Sequence, residues 1–150
     1  MRIQHKKYLI FLILILVGVP ACGVFGGGAP PDLLIIAAGE ELSVPLGSHC
    51  WGGLCADAIF PPVIEKFVEL PAGGQITLEF DGRNPESAFI GLDRYDTFPD
   101  AEYVASTRLD NVPDTIMWTP GVPAGNYVLA VSSQWGEGED ASYHIGVIVP

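Results

Sequence analysis

The chain has 150 residues, 49% of them hydrophobic and 17% charged, with 18 acidic against seven basic side chains and a formal net charge of −11. That balance disfavours nucleic acid as a partner, because holding phosphates takes clustered Lys and Arg. The length suits one domain with a real core.

At the N-terminus Arg2, Lys6 and Lys7 precede an uncharged apolar run, Tyr8–Val19, and small residues follow it. This is the order of an export signal. The run falls short of the roughly 20 apolar residues a spanning helix needs, so a signal helix over residues 1–21 is expected in place of a permanent span. It closes on Val19-Pro20-Ala21-Cys22, which resembles the lipobox of bacterial lipoproteins. The resemblance implies cleavage after Ala21, a diacylglycerol thioether on Cys22 with acyl chains such as palmitate, and export to the bacterial membrane or cell surface. A thiol is the side chain here that forms such a thioether, and a small Ala21 fits beside a peptidase cutting next to a lipidated residue. Two or more acyl chains anchor stably, since each buried methylene contributes about 0.8 kcal/mol and one chain alone is marginal. An ordinary signal peptide with a coincidental cysteine and an uncleaved anchor stay open as alternatives.

Past the cut, Lys66, Arg83, Arg94 and Arg108 are the four basic residues left against 18 acidic ones, a net of −14. Lipid, not charge, is then the expected anchor, and the negative field should hold the domain off anionic headgroups. Residues 22–32 combine Cys22 with a Gly/Pro-rich tether whose flexible part reaches on the order of 15–18 Å.

Residues 33–150 are expected to form one all-β domain, an antiparallel β-sandwich of jelly-roll or immunoglobulin-like type with about eight strands. In chain order the candidates are ELSVPL (41–46), VIEKFVEL (63–70), QITLEFDG (75–82), SAFIGL (87–92), EYVAST (102–107), DTIMWT (114–119), NYVLAVSS (126–133) and SYHIGVIV (142–149), with Leu33–Ala38 as an optional ninth. QITLEFDG alternates Ile76, Leu78 and Phe80 with polar residues, a strand with one wet face. NYVLAVSS is apolar on both faces and should be central. Pro-Ala-Gly precedes a strong strand twice, at Leu70-Pro71-Ala72-Gly73 and Val122-Pro123-Ala124-Gly125, as a recurrent turn.

If Cys22 is acylated, Cys50 and Cys55 in HCWGGLC remain as a pair, and a disulfide is the main reading for an exported chain. A redox-active pair and a metal site using His49, Cys50, Cys55 and Asp57 are the alternatives. No catalytic residues, no metal ligands and no cofactor are assigned. Gly47-Ser48-His49 lacks a nucleophile elbow, and Ser48 and His49 point to opposite faces of an extended segment. His144 is expected on a strand surface. Asp93, Asp96, Asp100 and Glu102 in one loop, and Glu137, Glu139 and Asp140 in another, offer oxygens for calcium but without EF-hand spacing, so solvated acidic loops are expected. Trp51 and Trp135 are the candidate binding residues if exposed, and end plugs of the sandwich, like Trp118, if not.

The second half, with Ala124-Gly125-Asn126-Tyr127, Gly136–Gly138 and Ser142-Tyr143-His144-Ile145, is similar to the C-terminal strands of bacterial pre-peptidase C-terminal-type domains, small sandwiches appended to secreted proteins. The resemblance covers about a quarter of the chain and implies the fold. The expected function is that of a lipid-anchored cell-envelope module, non-catalytic, with a structural or interaction role. Its partners are the membrane, through the lipid on Cys22, and an envelope protein or polysaccharide. A carbohydrate-binding lipoprotein and a metal-binding or enzymatic domain are the alternatives.

Overall fold

The computed structural model describes residues 28–99 and 102–150; the expected signal segment, Cys22 and the start of the expected tether lie outside them. The described chain is all-β, with eleven strands and no helix. They are β1 (Asp32–Ala37), β2 (Glu40–Val44), β3 (Leu46–Trp51), β4 (Leu54–Ala56), β5 (Phe67–Glu69), β6 (Ile76–Asp81), β7 (Ser87–Arg94), β8 (Ala105–Asp110), β9 (Ile116–Trp118), β10 (Gly125–Gly136) and β11 (Glu139–Val149). One sheet has the order β2-β1-β6-β9. The other runs β4-β3-β11-β10-β7-β8, with β5 laid parallel on β11 beyond the end of β3. All other pairings are antiparallel.

The two-residue period sets the core. Leu33 and Ile35 of β1, with Ile76 and Leu78 of β6, point from the small sheet toward Ile90, Leu92, Leu129, Val131, Tyr143, Ile145 and Val147 of the large one, all 0–1% exposed. Two tyrosines tie the ends of this layer. Tyr127 donates its hydroxyl hydrogen bond to the Pro123 carbonyl at 2.7 Å, a tyrosine corner that closes the turn into β10. Tyr143 donates to the Pro31 carbonyl at 2.6 Å, and burial, with the nearby Asp32 charge, pushes its phenol well up, so it remains a neutral donor.

The chain start is therefore packed before β1 begins: Pro30 is buried and Pro31 is held by Tyr143. The two Pro-Ala-Gly turns work differently. The first closes with the Gly74 N–H on the Pro71 carbonyl at 2.7 Å and Gly73 at φ 70°, whereas the second supplies the tyrosine corner.

β10 lies between β11 and β7, and Tyr127–Val131 are buried on both faces, as an apolar run demands. Two expected strands and one expected loop differ. VIEKFVEL is a strand only at Phe67–Glu69, since residues 57–66 loop along the sheet edge. EYVAST begins its strand at Ala105, because Tyr103 is drawn onto the neighbouring sheet face. HCWGGLC, expected as a loop, is the tip of the β3–β4 hairpin: Trp51 pairs with Leu54, and Gly52 and Gly53 take φ of 57° and 81°, as a two-residue primed turn requires.

Candidate functional site

Directly behind that turn Cys50 and Cys55 face each other across the hairpin with Cα atoms 4.0 Å apart, and they are joined by a disulfide. Closing so short a loop contributes about 2 kcal/mol by chain entropy, enough to make the hairpin tip a rigid mount. Alternation then points Cys50 outward and turns Trp51 toward the sandwich end. Trp51 is half-buried there and meets Trp135 edge to face, with centroids 5.2 Å apart and planes at 81°. Trp135 in turn abuts Phe80 at 5.5 Å and 89°, and donates its indole N–H to the Arg83 carbonyl at 2.7 Å. The Arg83 guanidinium lies over the Trp51 ring, 5.2 Å from its centroid, and pairs with Glu139.

The two candidate tryptophans are thus brought together but not displayed alike. Trp135, expected as a second contact residue if exposed, is only 3% exposed and belongs to the core. Perpendicular rings make no flat platform between them. Trp51 keeps one open side, on a depression of about 460 Å³ shared with Gly28, His49, Leu54 and Ala56. The described chain therefore starts at the hairpin tip.

Ser48 and His49 are used structurally. Ser48 Oγ accepts the Ala58 N–H at 3.0 Å, and His49 Nδ1 lies 3.1 Å from the Gly47 carbonyl, so no nucleophile–base pair forms between them. With both thiols oxidised, the cysteines offer no thiolate to a metal. Among the described residues no group of three or more His, Cys, Asp or Glu is placed to hold a metal ion. The acidic loops do not converge as the sequence grouped them. Asp93 lies on β7, Glu139 is engaged by Arg83, Asp96 and Glu102 are exposed, and Asp100 lies outside the described residues.

Sequence reasoning missed a second feature, an aromatic layer on the outer face of the large sheet. Phe67 covers Gly146 and Tyr103 covers Gly91, each ring occupying the space a Cβ would need. Tyr95 leans on Phe67 at 5.7 Å, and Phe98 lies 5.9 Å from the His144 ring. Beneath this layer Asp93 is 2% exposed. Burial pushes its carboxyl above the usual range, offset in part by the Arg94 N–H donating to it at 2.8 Å. Burial also raises the Tyr103 phenol, and the Asp93 charge adds to it.

His144, expected on the surface, is half-buried instead. The bare Gly47 lets β3 close over it, its Nδ1 has no partner, and burial lowers its pKa. The available signal was glycine itself: Gly47, Gly91 and Gly146 mark places where another group lies on the backbone.

The structure defines a disulfide-pinned all-β sandwich with an aromatic-capped end. Comparisons with protein-family models, with curated proteins and with solved structures find no match for this chain. Among the described residues no helix is long and apolar enough to cross a membrane.

Proposed function

We propose that the protein is a lipid-anchored cell-envelope module whose β-sandwich serves a structural or interaction role and carries no catalytic centre. The observation that carries this reading is Val19-Pro20-Ala21-Cys22 at the end of an export-type signal, a pattern that puts a lipid-accepting thiol at the start of the mature chain. Two features of the fold support it. The Cys50–Cys55 disulfide suits a compartment outside the reducing cytoplasm. The chain also enters the sandwich at the end where the rigid hairpin stands, so an anchor at Cys22 holds that end toward the bilayer.

Replacing Cys22 tests the reading. Cys22→Ala removes the thioether site, so the expected result is loss of detergent-dependent membrane partitioning, as released domain or as uncut precursor. A cleaved Cys22→Ala protein that still partitions with membranes as the wild type does would sink the anchor.

A further inference from the structure

Among the described residues, four of the five most exposed large apolar side chains fall within ten positions of the chain, and the fifth, Met117, lies apart on β9. They are Leu54 (72%) at the tip of the β3–β4 hairpin and Ile59 (83%), Phe60 (67%) and Val63 (77%) on the loop that follows it. The base of that loop is held. Ala58 donates its N–H to Ser48 Oγ, and Phe60 rests edgewise on Phe98 with centroids 6.3 Å apart. The tips therefore stay out in solvent on a fixed support. A cluster of this kind marks a contact surface.

What lies opposite it follows from charge and from reach. From Pro45 to Ile64 the chain carries one charged residue, Asp57, although the whole sequence has 18 acidic residues. Across the sheet Asp140 stands opposite Cys50, but Glu139 is paired with Arg83 and Lys66 ends the loop, so repulsion from anionic headgroups is partly offset at this edge. Only Gly23–Gly27 separate Cys22 from Gly28, and six Cα-to-Cα steps span at most about 22 Å. Gly28 borders the same depression as Leu54 and Ala56. A lipid on Cys22 therefore keeps Gly28 within about 22 Å of its anchor, and with Gly28 the hairpin tip that carries Leu54.

The geometry points to a membrane-contacting patch: Leu54, Ile59, Phe60 and Val63 dip into the headgroup–acyl boundary of the membrane that holds Cys22 and fix how the sandwich stands on it. This rests on the anchor proposed above. The depth is interfacial, because the open backbone groups of an irregular loop must stay hydrated. The acyl chains hold the protein; the patch orients it.

The full-length lipidated protein, reconstituted into phosphatidylethanolamine/phosphatidylglycerol vesicles with or without acyl-chain bromine, tests this through added tryptophan fluorescence. Phe60→Trp and Val63→Trp report on the patch. Met117→Trp is the control, since Met117 is as exposed as Phe60, at 67%, but lies on edge strand β9 level with Ile36, at the far end of β1 from Gly28. The N-terminal peptide mass reports acylation.

The expected result is at least twofold quenching by brominated lipid of the emission added by Phe60→Trp and Val63→Trp, with none at Met117→Trp. An acylated, vesicle-bound protein in which all three positions quench alike, or none does, overturns the patch and leaves the anchor standing. A concentration-dependent blue shift of Phe60→Trp in detergent, without quenching by brominated lipid in vesicles, assigns the patch to a second copy and overturns it too. An unacylated protein that fails to bind vesicles overturns the anchor and the patch together.

Discussion

At the scale of single residues, His144 shows how little a strand position says about environment. Its alternation with Tyr143 correctly turns it away from the core, yet Gly47 and Phe98 cover it and leave Nδ1 without a partner. Burial disfavours the charged ring, so its native pKa lies below the 6.5 of the free side chain. Below pH 6.5 the unfolded chain takes up a proton that the folded one refuses, and stability falls as pH drops through that value toward the native pKa. Urea midpoints between pH 7.5 and 5.5 should decline more steeply for the wild type than for His144→Gln. Parallel declines would mean that the ring is solvated in the folded protein. Asp93 works in the opposite sense at lower pH. Its raised pKa means that the folded state holds the proton more tightly, so acidification from above that pKa toward 3.8 relieves its burial cost.

At the scale of elements, the pairing of β5 with β11 is the contact that local patterning hid. Phe67–Glu69 is too short to announce itself, and its partner lies far along the chain at Gly146–Ile148. Its place depends on Phe67 lying flat on Gly146, a glycine that pattern reading counts only as a weak spot in a strand. Gly146→Val should therefore destabilise the fold by about 2 kcal/mol or more, because a branched side chain must displace the ring or bend the sheet. Thermal or urea unfolding checks this, and a change below about 0.5 kcal/mol would show that Phe67 swings aside freely. The β3–β4 hairpin is the converse case. Its cysteine spacing was legible as a covalent link, while its strand character came from the Gly52-Gly53 turn between Trp51 and Leu54.

At the scale of the whole molecule, charge opposes folding. With four basic residues against 18 acidic ones after Ala21, and Arg83–Glu139 the one salt bridge among the described residues, the compact state carries unrelieved repulsion. Added sodium chloride, from about 10 mM to a few hundred millimolar, shortens the screening length to roughly 10 Å or less, so the melting temperature of the domain should rise by a few degrees. A flat or falling melting temperature over that range would mean that the acidic residues are spread too widely to repel. The charge is unevenly placed along the chain, since Pro45–Ile64 contains a single charged residue, Asp57.

By itself the sequence determined the fold class, the central place of Tyr127–Val131, the inward faces of QITLEFDG and SYHIGVIV and the pairing of Cys50 with Cys55, since alternation, turn residues and cysteine spacing act between near neighbours in the chain. Only the tertiary structure decided that Trp135 is enclosed while Trp51 keeps an open side, that Asp93 and His144 lie under an aromatic layer, and that Leu54 borders the depression where Gly28 enters. The physical reason is the same in each case. Burial is set by what the opposite strand or a distant loop lays on top, and the glycines that permit such contact carry no side chain to declare it.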